Sequence, residues 1–109
     1  MTTLSPQAFQ ILLSLAEGAD LHGYAIIQDV RERTGGDMVL TASTLYAAIK
    51  RMLEAGLIAE VEAPAETGGA PRRCYRITRT GRTAAQREAE QLSRTVAMAR
   101  DKRLLPRRT

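Results

Sequence analysis

After Gly56 the spacing of apolar residues changes from helical to strand-like, and after Ile77 it changes back. Leu57 to Glu62 alternates, with Glu60 and Glu62 set against Val61. Arg72 to Ile77 places Tyr75 and Ile77 on one side and Cys74 and Arg76 on the other. A period of two is the mark of a half-buried strand. The intervening Ala63–Pro71 is crowded with Pro and Gly, including Gly68-Gly69, so the two runs read as one hairpin. A lone hairpin is marginal in water, and its apolar side must lie against helices.

The rest of the chain is helical in pattern. Ser5-Pro6 supplies an N-cap and a first helical position, Ala8, Ile11, Leu12 and Leu15 follow at helical spacing, and Gly18 ends the run. This predicts a helix over 6–17. A second is expected over 22–34, with Gly23, Ile26, Ile27 and Val30 inward and Gly35-Gly36 as terminator. Met38-Val39-Leu40 reads as a minor strand. Thr41-Ala42-Ser43 offers capping hydroxyls for a third helix over 42–55, whose buried stripe is Leu45, Ile49, Met52 and Leu53. Thr78 or Thr80 caps a last helix that runs to about 103. The order helix, helix, helix, hairpin, helix is that of a winged helix-turn-helix, an α+β and mostly helical fold.

Length allows one core within 109 residues. The expected division is a winged helix domain over 1–79, a dimerisation helix over 80–105 and a disordered tail over 106–109. No apolar run approaches the ~20 residues that cross a bilayer, and MTTLSPQAF lacks the layout of a secretory signal. A cytoplasmic protein with no membrane partner is expected. One cysteine, Cys74, neither forms an internal disulfide nor builds a zinc site alone, so no cofactor and no metal are expected.

Charge is divided unevenly. Residues 1–71 hold four basic and nine acidic side chains; residues 72–109 hold twelve basic, eleven of them Arg, and three acidic. An Arg-rich half suits a polyanion, since the guanidinium fork matches phosphate, although a solvated helix face gives the same composition. The third helix is where this fold places its reading element. With Leu45 at the centre of the buried side, Ser43, Ala47, Lys50 and Glu54 project opposite, flanked by Thr44, Tyr46 and Arg51. Small residues allow entry into a major groove, and hydroxyls and cations reach bases or phosphate. In the hairpin, Arg72, Arg73 and Arg76 cluster beside Gly68-Gly69 and suit the DNA backbone or a narrow minor groove. The DNA-contacting set is therefore Ser43, Thr44, Tyr46, Lys50, Arg51, Arg72 and Arg73, and the partner is double-stranded DNA.

In the last helix Ala85, Ala89, Leu92, Val96 and Ala99 recur at steps of four, three, four and three. That seam, with a period of 3.5, favours a homodimer, with packing on helix 1 as the alternative. A two-fold pair sets two reading helices about one DNA turn (~34 Å) apart on an inverted-repeat operator.

Three stretches resemble the PadR family of transcriptional regulators: LHGYAII at 21–27, STLYAAIKRMLEAGLI at 43–58 and RRCYRITRTGR at 72–82. The length and single C-terminal helix are similar to the short subclass of that family. The resemblance implies a homodimeric winged helix regulator, usually a repressor, released by a small molecule or a stress signal. It places Ser43, Thr44, Tyr46 and Lys50 in the recognition helix and Arg72 and Arg73 in the wing. It gives His22, Gly23 and Tyr24 an architectural role, Gly23 permitting close helix contact and Tyr24 tying helix 2 to its neighbours. The chain departs from the family at Ser43, where Gly is common, and at Ala47, where Pro is common. It has no Trp of the kind some short members use to stack flat aromatic compounds.

Other readings are a winged helix used as a protein-interaction or RNA-binding module, and an enzyme. A His22–Cys74 pair lacks an orienting third group, and Gly68-Gly69 precedes a strand without the Lys-Ser/Thr ending of a phosphate loop. No catalysis is expected. Cys74 among arginines is either a redox-responsive thiol, which positive neighbours favour, or a small packing group.

Overall fold

Ser5 starts the first helix as its chemistry requires, its Oγ accepting from the Ala8 N–H at 3.1 Å, with Pro6 at the first helical position. The computed structural model describes residues 4–63 and 72–106. In chain order they form α1 (Pro6–Leu15), β1 (Leu21–His22), α2 (Gly23–Arg33), α3 (Ala42–Glu54), β2 (Ile58–Ala63), β3 (Arg72–Ile77) and α4 (Arg79–Asp101). The remaining caps are His22, Thr41 and Thr78, each accepting the backbone N–H three residues on. The expected hairpin turn, with Gly68-Gly69, and the end of the expected tail lie outside the described residues.

The strands make one antiparallel sheet in the order β1-β3-β2. Ile58 pairs Ile77, Glu60 pairs Tyr75 and Val61 pairs Cys74, while on the other edge of β3 Leu21 pairs Tyr75 and His22 pairs Cys74. The third strand differs from expectation. Met38–Leu40 is not a strand; Leu40 is buried as a single side chain, and the Thr34 hydroxyl accepts the Met38 N–H at 3.0 Å to fix the loop. The added strand is Leu21–His22, where two residues carry no alternation to detect and where His22 is expected to begin the second helix.

Tyr75 and Ile58 lay the sheet on a core of Ile11, Leu12, Leu15, Ile26, Val30, Leu45, Ile49 and Met52. Cys74, next along the strand, points to the opposite face. There it is buried between its cross-strand neighbours His22 and Val61 rather than displayed among arginines. At the end of α3 the Leu57 N–H reaches Met52 O and Gly56, at φ +74°, reaches Leu53 O, a Schellman closure that turns the chain into β2. Thr78 then donates to Gly56 O at 2.6 Å, tying the start of α4 to that turn.

Only the beginning of α4 rests on this body. Gly81 is buried, Ala85 packs against the core, and Arg82 donates to Ala16 O at 2.7 Å at the end of α1. Farther along, Leu92 is 42% exposed, Val96 36% and Met98 54%, and Ala89 is exposed while Ala99 is half-buried. The first turns of the helix thus pack on α1, as one of the two sequence alternatives expects, and its middle keeps an apolar stripe uncovered.

Candidate nucleic-acid interface

On α3, Leu45, Ala48, Ile49 and Met52 are buried, which fixes the roll of the helix. Ser43, Thr44, Tyr46, Ala47, Lys50, Arg51 and Glu54 are all exposed, so the expected outward face is brought together intact. The Thr41 hydroxyl organises its first turn. It accepts the Thr44 N–H at 3.2 Å, donates to Thr44 Oγ1 at 3.0 Å and lies 3.4 Å from Ser43 Oγ. Thr44 Oγ1, being the acceptor, keeps its own proton free to donate.

Tyr46 is half exposed, and its hydroxyl lies over the start of α2. Gly23 makes that approach possible: a Cβ there would collide with Tyr46 Oη and meet Leu45 Cδ2 at 3.2 Å. The close contact expected at Gly23 is therefore a contact with α3. Tyr24 departs from its expected architectural role. It is 64% exposed, and its hydroxyl accepts from Gln28 Nε2 at 3.2 Å within its own helix. Exposure of this tyrosine was not legible in the helical period, because its immediate neighbours, Gly23 and Ala25, give no side-chain contrast.

The wing arginines divide. Arg72 and Arg73 are exposed at the outer end of β3, Arg73 Nε standing 3.2 Å from Glu60 Oε1 with its side chain 79% exposed. Arg76, grouped with them by sequence, is instead held by Asp20 through two hydrogen bonds of 2.8 Å. The pair holds the Asp20 carboxyl below its ordinary value and the Arg76 guanidinium above its own. It fastens the approach to β1 onto β3. Burial, with the Glu60 charge adding, pushes the Tyr75 phenol upward, so this ring is a neutral core group.

His22, Gly23, Tyr24, Tyr46, Arg72 and Arg73 line an open cleft of about 380 Å³ between α2, α3 and β3. It exists because β1 stops after two residues while β3 runs on past it. Among the described residues no group of three His, Cys, Asp or Glu side chains is placed to hold a metal ion, and no helix is long and apolar enough to cross a membrane.

Residues 11–87 match the family described as the transcriptional regulator PadR-like family. A PadR family transcription regulator from Clostridium difficile is similar in structure, with a TM-score of 0.75, 27% identity, and coverage of 93% of this chain and 100% of that one. Bacillus subtilis PadR in complex with operator DNA has a TM-score of 0.63 at 23% identity, covering 72% of this chain and 44% of that one. An uncharacterised protein of Lysinibacillus sphaericus, protein X, is 33% identical over 72 residues, 66% of this chain; the match spans 65% of that relative's length.

Proposed function

Because this chain belongs to the PadR-like family of transcriptional regulators, we propose that it binds duplex DNA as a homodimer, with α3 in the major groove and the hairpin as a wing beside it. The observation that carries this reading is the outward face of α3: Ser43, Thr44, Ala47 and Lys50 side by side, free of bulky apolar groups, with Tyr46 and Arg51 flanking and Arg72 and Arg73 one element away. Hydroxyls and cations at that spacing suit base edges and phosphates. A relative of the same fold, Bacillus subtilis PadR, was solved on operator DNA, which supports the assignment. In this reading the protein is a cytoplasmic repressor of an inverted-repeat operator, released by a small-molecule or stress signal, and has no catalytic role.

The exposed stripe of Leu92 and Val96, with Ala85, Ala89 and Ala99 on the same seam, joins two subunits through α4. These seam positions beyond Arg87 lie outside the stretch matched to the family, so the pairing rests on this chain's own residues. Selection from random-sequence duplexes tests the reading: a two-fold symmetric site is expected, and Lys50→Glu should abolish its binding while leaving the melting temperature unchanged. Leu92→Glu should sediment as a monomer and bind the same site weakly. Preference for RNA, or unaltered binding by Lys50→Glu, overturns the assignment of α3.

A further inference from the structure

We propose that the cleft between α2, α3 and the base of the wing seats one backbone phosphate of the bound duplex, with the Tyr24 hydroxyl and Arg72 as its principal ligands. The inference rests on the DNA-binding reading and adds to it a site that joins the wing residue Arg72 to Tyr24, which the family resemblance assigned to architecture. A helix in the major groove and a wing in the neighbouring minor groove are separated by one sugar-phosphate strand, because that strand is what divides the grooves. In this protein the space between α3 and the wing is the cleft lined by Tyr24, Tyr46, Arg72 and Arg73. The intervening strand must cross it.

The lining fits a phosphodiester. Arg72 is exposed and has no ion-pair partner among the described residues. Arg73 is shared with Glu60, but at 79% exposure such a pair is weak and a phosphate competes for the fork. The Tyr24 hydroxyl already accepts from Gln28 Nε2, so its own proton is free to donate. His22 is committed elsewhere: its Nδ1 accepts the Ala25 N–H at 3.2 Å and caps the start of α2. The other tyrosine reaches the cleft only because residue 23 lacks a side chain. The shared chemistry is that of a singly charged phosphate ester; a free phosphate ion is the competing source, and the openness of the cleft to the reading helix favours DNA.

The test uses full-length protein and a duplex selected by the wild type, with single neutral methylphosphonate linkages placed in turn along each strand. One linkage per half-site should cost wild-type binding roughly tenfold and cost Tyr24→Phe or Arg72→Gln nothing further. Arg72→Gln should also make the salt dependence shallower, by about 0.9 in slope for each phosphate it no longer neutralises. Absence of any linkage coupled to Tyr24 or Arg72, while Lys50→Glu still abolishes binding, overturns this proposal alone. Failure of the wild type to bind any duplex overturns both it and the reading beneath it. Inorganic phosphate, added to DNA-free protein at matched ionic strength, should leave the Tyr24 ring resonances unmoved; a saturable shift that Arg72→Gln removes assigns the cleft to a free anion and overturns the DNA seat.

Discussion

Replacing Gly23 with alanine separates the scaffold from the reading surface. The added Cβ would collide with Tyr46 Oη, lie 3.0 Å from Tyr46 Cζ and 3.2 Å from Leu45 Cδ2. Position 23 opens α2 and has no positive φ, so the backbone accepts alanine and gains up to about 1 kcal/mol of helix propensity. Against this stands overpacking, which costs about 1–3 kcal/mol in a closed core. Here the main obstacle is the outer end of a half-exposed tyrosine that can swing away, so the lower figure applies. The two terms nearly cancel, and Gly23→Ala should unfold within about 1 kcal/mol of wild type, a melting shift of roughly 4 °C or less. DNA binding should fall far more, about tenfold, because Tyr46 leaves its place on α3. Thermal denaturation and titration of a selected duplex measure both quantities. In a Tyr46→Ala background the same substitution should add no further loss of binding. Wild-type affinity in Gly23→Ala, or a full second loss in the Tyr46→Ala background, would falsify the coupling between these residues.

Two other outcomes follow from the same geometry. At Gly81 an added Cβ would strike the Leu57 carbonyl oxygen and stand 2.9 Å from its carbon, a backbone obstacle that cannot swing aside. Gly81→Ala should therefore lose about 3 kcal/mol or more in chemical denaturation, and a stability equal to wild type would show that the α4 junction is looser than described. Asp20 and Asp29 are both held below the ordinary carboxylate value of 3.8, Asp20 by its hydrogen bonds to Arg76 and Asp29 chiefly by its hydrogen bond to Arg33. A depressed folded value means that their contribution to stability is complete above 3.8 and is lost as pH falls through the lowered values. Melting temperatures should be flat from neutrality to about pH 5 and drop below pH 4, less steeply in Asp20→Asn; an identical acid slope in that variant would remove the Asp20–Arg76 pair from the account.

The helices and the hairpin were legible in the chain because each is a local pattern with its own punctuation. Ser5, Thr41 and Thr78 cap where a hydroxyl precedes an apolar period, and Gly18, Gly36 and Gly56 take the positive φ that ends a helix. The outward face of α3 followed from the same periodicity, since burying Leu45 dictates where Ser43 and Lys50 point. What escaped depends on partners distant in sequence. Leu21–His22 is a strand only because β3 has a free edge beside it. Met38–Leu40 has strand-like composition but no neighbour to pair with. Tyr24 escaped for a related reason: the short β1 lays His22 beside Cys74, which is buried as a small packing group, and then ends, leaving the next turn of α2 uncovered.

The charge asymmetry of the chain takes on a different meaning once the arginines have positions. Twelve basic side chains after residue 71 suggest a broad polyanion surface, yet several of them are spent inside the protein. Arg76 clamps Asp20, Arg82 caps the end of α1 at Ala16 O, and Arg100 turns back to Pro106 O. In the acidic half Arg33 does the same work, linking α2 to Gln10 and Ser14 of α1 with bonds of 2.7 and 2.8 Å. Arginine serves here as the residue that ties elements together in a small core poor in aromatics, because one fork satisfies several acceptors at once. The cations of the proposed interface are clustered: Lys50 and Arg51 on α3, Arg72 and Arg73 beside the cleft. A compact cluster recruits specific phosphates at fixed positions, whereas a diffuse positive field only raises the local concentration of DNA. In the proposed reading the register on the DNA is set by where α3 and the end of β3 meet, and the net charge serves encounter.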